Sequence, residues 1–170
     1  MKTRILIPTD GSHFSEQIIT HIQRFFPTES TELILFRVGE PIYSSIAAQA
    51  ELAREAMTFG DTMRHIGERE IEAAYHPIYA TQIEVNQRAE LETTLQPLAN
   101  GLREAGFTVS TLVEFGDPAR MIIHAIERDK IDLLAMTTHG RTGISRAIFG
   151  SVAESVMRQV RIPIVLFRPE

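Results

Sequence analysis

What most constrains this chain is an alternation. Five short apolar runs, Arg4–Ile7, Glu32–Val38, Phe107–Val113, Ile131–Met136 and Ile162–Phe167, are each separated from the next by turn residues and stretches with helical spacing. The first helical stripe is Ile18, Ile19, Ile22, Phe25 and Phe26, stopped by Pro27. A longer one runs from Glu84 to Ala105 with Leu91, Leu95, Leu98 and Leu102 on one side, Gly106 past its end, and Pro97 predicting a kink or break. Gly116-Asp117-Pro118 supplies a turn, an N-cap and a first-turn proline for a helix carrying Met121, Ile122, Ala125 and Ile126. Val152, Val156, Met157 and Val160 form the last stripe. Strand and helix in alternation call for an α/β fold, an open parallel five-stranded sheet with helices on both faces. Pro163 places the last strand at an edge, and an apolar edge predicts that a second copy pairs or packs there.

Length and charge narrow the function. A chain of 170 residues favours a single domain, 1–170, able to bury about 70% of its unfolded surface. Only the stretch from 42 to 77 departs from the pattern: its stripe of Ile46, Ala50, Ala53 and Met57 is thin, and it reads as an excursion. No cysteine is present, which excludes disulfides, thiolate zinc sites and cysteine nucleophiles and fits a reducing compartment. Seventeen Lys and Arg against twenty-two Asp and Glu give a net charge of −5, so neither a nucleic acid nor an anionic membrane is the expected partner. No apolar run approaches the roughly 18 to 20 residues of a membrane span, and the N-terminal residues enter a strand without the pattern of a signal peptide. A soluble, cytoplasmic protein with a small partner is the expectation.

Two strand ends carry chemistry. After the first comes Pro8-Thr9-Asp10-Gly11-Ser12; after the fourth comes Thr137-Thr138-His139-Gly140-Arg141-Thr142-Gly143, and then Gly150-Ser151-Val152 opens a helix. Strand-to-helix turns at the carboxyl end of a parallel sheet are where such folds bind ligands. Glycines admit a bulky anion close to the backbone, and helix-opening amides favour negative charge. Between Asp132 and Glu154 there is no acidic residue, while His139, Arg141 and Arg146 are present.

Other nucleotide sites are excluded by pattern. The chain has no Gly-x4-Gly-Lys-Ser/Thr loop and no Gly-x-Gly-x-x-Gly after the first strand. A phospho-receiver domain would need more than one carboxylate near Asp10 and a lysine after the last strand, where Phe167-Arg168-Pro169 stands. His13, His21, His65, His76 and His124 show no metal-binding spacing. His139 has neither a nucleophile nor a carboxylate partner visible beside it and reads as an orienting or packing residue.

Gly140, the nine-residue interval 141–149, and Gly150-Ser151, taken with Pro8-Thr9-Asp10, resemble the universal stress protein family, whose nucleotide-binding members carry Gly-x2-Gly-x9-Gly-Ser/Thr after the fourth strand. Ile5 to Ser12, Gly116-Asp117-Pro118 and Gly150 to Glu154 extend the resemblance over nearly the whole chain except about 42 to 80. It implies a Rossmann-like sheet in strand order 3-2-1-4-5 and a homodimer formed through the C-terminal edge strand. It also implies an ATP-binding, nucleotide-dependent stress-response regulator; AMP or another adenine nucleotide is the variant ligand. Any Mg2+ or Mn2+ would be held through the phosphates, and the downstream protein partner is not specified. Carried over by position, Pro8, Thr9, Asp10 and Val38 would hold base and ribose. The strand end at Met136 and Thr137, with His139, Gly140, Arg141 and Gly143, and then Gly150, Ser151 and Val152, would cradle the phosphates, Arg141 as counter-charge.

Plainer readings stand beside these. Ser151 with Glu154 spells a capping box, Asp10 can serve as a turn residue capping the first helix, and the glycines can serve a tight connection. The family pattern's first glycine falls on Thr137, where a Cβ would crowd a nucleotide or a hydroxyl would bond to it. A member without nucleotide, acting as a dimeric interaction module, is therefore one alternative. Slow ATP hydrolysis, with Asp10 and His139 as the available bases, is the other.

Overall fold

A computed structural model of the chain describes residues 2–40, 77–138 and 149–168. The excursion expected over 42–77 lies, up to residue 76, outside the described residues, as do His139, Gly140, Arg141 and Gly143. The elements run β1 (Thr3–Pro8), α1 (His13–Glu16), α2 (Ile18–Phe25), a 3-10 turn (Thr28–Ser30), β2 (Thr31–Gly39), α3 (Pro77–Glu104), β3 (Thr108–Phe115), α4 (Pro118–Arg128), β4 (Leu133–Thr137), α5 (Ser151–Gln159) and β5 (Ile164–Phe167). All pairings are parallel, and the strands lie in the order β3-β2-β1-β4-β5. The order reverses between β1 and β4, the switch point at which sheets of this kind leave a crevice.

Strand alternation divides the core in two. Ile5, Ile7, Leu33, Leu35 and Ala135 face α2 and α3, meeting Ile18, Ile19, Ile22, Leu95, Ala99 and Leu102. Leu6, Ile34, Phe36, Leu134 and Met136 face α4 and α5, meeting Ile122, Ala125, Ile126, Ala153 and Val156. Burial on both faces is why the central strands read as unbroken apolar runs and not as alternating ones. The edge strand β5 is only partly buried along its whole length. Among the described residues no helix is long and apolar enough to cross a membrane.

Two expectations are corrected. Phe25 is 67% exposed, because α2 is a short helix that buries Ile18, Ile19 and Ile22 and then ends, its C-cap Phe26 turning extended to pack on the core instead. Pro97 does not break α3, which runs through it for 28 residues. Pro97 lies on the exposed side, so the carbonyl deprived of a donor faces water, while Leu95 and Ala99 hold the helix to the sheet on either side.

Candidate functional site

The chain leaves β1 at Pro8, and the amide of Thr9 still reaches the carbonyl of Phe36 at 2.8 Å, so the turn starts against β2. A chain of hydroxyls then shapes it. The Ser15 hydroxyl donates to the Ser12 carbonyl at 2.9 Å, which leaves the Ser15 oxygen to accept from the Thr9 hydroxyl, also at 2.9 Å. Thr9 Oγ1 accepts from the Gly11 amide at 3.1 Å. Asp10 Oδ1 accepts from both the amide and the hydroxyl of Ser12, at 2.9 and 2.6 Å. Ser12, not Asp10, is the N-cap of α1, accepting from the Ser15 amide at 3.2 Å. The half-buried carboxylate of Asp10 thus sits at the crest of the turn with its orientation fixed by Ser12. Gly11 is required here: its φ is +73°, and a Cβ would stand 2.5 Å from Arg37 Nη1.

Across the crevice, β4 ends at Thr137, and Thr138 becomes a post with both backbone groups engaged. Its amide donates to the Phe167 carbonyl at 2.8 Å, and its carbonyl accepts from the Gly150 amide at 2.7 Å. The contact is so close that a Cβ on Gly150 would lie 3.0 Å from the Thr138 oxygen. Gly150 is the N-cap of α5 and supplies no side-chain cap. The capping box expected of Ser151 and Glu154 does not form: Ser151 is already the first helical residue, and the Glu154 carboxylate pairs with Arg158 at 2.7 Å. The first-turn amides of α5 are therefore left uncovered by any side-chain cap, at the positive end of the helix dipole.

Between these two ends lies a cleft of about 270 Å3, near the lower end of the ~300–1,000 Å3 usual for small-molecule sites. Pro8, Thr9 and Asp10 line it from the first turn, Val38 from β2, Met136 and Thr137 from β4, and Gly150, Ser151 and Val152 from α5. Each of these was singled out in the sequence, and the structure brings them together. Thr138, within the stretch 137–143 that the sequence singled out, lines it too; Phe36, Pro118, Ile122, Ala153 and Ser15 also line it and were not singled out. Phe36 lies two residues before Val38 on the same strand face, and Pro118 and Ile122 are one helical turn apart, so their spacing would have found them once one neighbour was known. Ser15 carries no such signal.

The two halves of the cleft differ in chemistry. Phe36, Val38, Pro118, Ile122 and Met136 make an apolar slot on the α4 side, whereas Asp10, Thr138, Ser151 and the α5 terminus make a polar end. Val38 adds backbone groups to the slot. Because the Phe36 carbonyl accepts from Thr9 and the Gly39 carbonyl accepts from Gly116 on the opposite side, alternation along β2 aims both the amide and the carbonyl of Val38 past the end of β1. An amide donor and a carbonyl acceptor on one residue suit the edge of a planar heterocycle.

Comparison with known proteins places this architecture. Residues 1–168 match the universal stress protein family. The chain is 22% identical to universal stress protein MJ0577 of Methanocaldococcus jannaschii over 99% of its own length and 96% of that protein's. The solved structure of MJ0577 superposes with a TM-score of 0.73, covering 100% of this chain and 98% of that one. A universal stress protein in complex with cAMP superposes at 0.53, with 19% identity over 98% and 97% of the two chains. A universal stress protein family protein of Arabidopsis thaliana with AMP bound superposes at 0.59, with 13% identity over 99% and 92%.

Proposed function

The chain belongs to the universal stress protein family, and from that premise we propose that its cleft binds an adenine nucleotide, ATP foremost, and that the protein acts as a homodimeric, nucleotide-dependent regulator of a protein partner. The observation that carries this reading is the junction of an apolar slot and a polar helix terminus at the β1–β4 switch point. A base fits the slot against Phe36, Ile122 and Met136 with its edge toward the Val38 backbone. Ribose hydroxyls would meet Asp10, whose carboxylate Ser12 holds in place. Phosphates would then lie over Gly150, Ser151 and Val152, where amides and the positive end of a dipole stabilise negative charge. The AMP and cAMP held by proteins of the same fold support an adenine nucleotide as the ligand class.

Asp10 is the single carboxylate among the described residues that line the cleft, and these residues by themselves offer too few oxygen ligands to hold a divalent ion. Mg2+ or Mn2+ would fit only as a companion of the phosphates, keeping most of its waters. The dimer is assigned to the β5 edge, which is apolar, partly exposed and preceded by Pro163, a combination that leaves backbone groups open to a second copy.

Isothermal titration with ATP, AMP and cAMP tests the ligand, and a native mass spectrum of the same samples gives the subunit number. Saturable heat with at least one nucleotide on a dimer is the expected result. No heat with any of the three would overturn the nucleotide reading, and a monomer at every concentration would overturn the dimer.

A further inference from the structure

Thr137 is the residue at the centre of the switch point, and the direction of its side chain decides what it can do there. Along β4, Leu134 and Met136 belong to the core facing α4 and α5, whereas Leu133 and Ala135 pack on the opposite face with α2 and α3. Alternation puts the Thr137 side chain with Ala135, on the α1–α2 side of the sheet. The neighbouring strand agrees: Thr137 pairs with Phe167, which packs in that same core and against the His21 ring at 4.3 Å. The apolar slot lies on the other face.

Thr9, Ser15 and Thr137 line the same cleft at the carboxyl ends of β1 and β4, and α1 packs on β4. Thr9 points to the same side, since it bonds Ser15 in α1. Thr137, Thr9 and Ser15 are 8%, 6% and 4% exposed, so three hydroxyl residues gather beneath the turn that carries Asp10, in a place otherwise given to core.

We propose that Thr137 is a positioning residue that supports the Thr9–Ser15 turn from beneath and so aims Asp10, while its side chain points away from the apolar slot. The consequence for binding rests on the nucleotide reading of the cleft; the support of the turn does not. Glycine at this position would withdraw a buried β-branched side chain from beside Thr9 and Ser15 and loosen the end of β4.

Two measurements on Thr137→Gly and Thr137→Ser test this. In the unliganded protein, hydrogen exchange at the Gly11, Ser12 and Ser15 amides should be about tenfold faster in Thr137→Gly, with the Asp132 amide at the far end of the sheet as the unchanged control. Titration of fully folded protein with ATP should show affinity about five- to tenfold weaker in Thr137→Gly and restored to within about threefold in Thr137→Ser. Thr137→Ala, with the same expectations, replaces the glycine variant if that one does not fold. Unchanged exchange at the turn overturns the positioning role. Tighter binding in Thr137→Gly, or binding in that variant alone, overturns it too and makes Thr137 an obstruction. If neither the natural protein nor any variant takes nucleotide, the reading of the cleft falls, and the exchange measurement still decides the role of Thr137.

Discussion

The seam between β1 and β4 is built differently at its two ends. The two strands pair directly only at Ile5↔Leu133 and Leu6↔Leu134. At the amino end the seam is clasped: the Arg4 amide donates to Asp132 Oδ2 at 2.8 Å, the Asp132 amide donates back to the Arg4 carbonyl at 3.0 Å, and the Arg4 guanidinium reaches the Asp129 carbonyl and pairs with Glu32 at 3.4 Å. At the carboxyl end the strands part, and the gap is flanked by a turn of hydroxyls on the β1 side and the Thr138 post on the β4 side. One end closes with hydrogen bonds that join Arg4 to Asp132 and Asp129. The other keeps its polar groups directed into a gap, and the clasp is what lets the gap exist without the strands separating. The candidate site and the clasp therefore occupy opposite ends of the same pair of strands.

The sharpest way to break this division is Gly150→Val. Its side chain would press on the Thr138 carbonyl, displace the first turn of α5 and reduce nucleotide affinity by at least about a hundredfold in a calorimetric titration. The protein should still fold, since the clasp and the core facing α2 and α3 are untouched; loss of the cooperative thermal transition would mean that the open end carries stability after all. Ser151→Ala is the next largest effect. Because its hydroxyl caps nothing, stability to urea should change by less than about 0.5 kcal/mol, whereas loss of a hydroxyl facing a phosphate should weaken ATP binding about tenfold. A fall in stability with affinity intact would restore the cap that the structure rules out. Asp132→Ala sharpens the comparison from the other side. Removing one acceptor of the clasp should cost about 1 kcal/mol in urea denaturation and leave the ATP dissociation constant unchanged within about threefold. A larger change in affinity would show that the two ends are coupled.

Sequence reading reached the clasp and the cleft to different depths. The strands follow from where apolar runs start and stop, since a residue such as Leu33 or Leu134 has few places to go in a parallel sheet, while their order came with the family resemblance. The polar side of the cleft was also legible, because Asp10, Gly150 and Ser151 are types that a buried strand would not place at its carboxyl end. On the apolar side only Val38 and Met136 were legible, through the resemblance: Phe36 and Ile122 look the same whether they fill a core or wall a slot. The start of α5 at Ser151 was legible, whereas the choice between a capping box and an open helix terminus was not, because the cap falls on Gly150, which has no side chain to announce it. The facing of Thr137 needed the register of β4, which a one-residue shift would have inverted. Phe25 failed for a reason of length, as α2 ends before its next turn can be covered.

Thr138 spends its amide on Phe167 and its carbonyl on Gly150. None of the residues of β5 lines the cleft, yet a slip of that four-residue strand by one position would remove the partner of Thr138 and with it the mooring of the α5 terminus. The outermost strand thus works as the setting screw of a site it never touches.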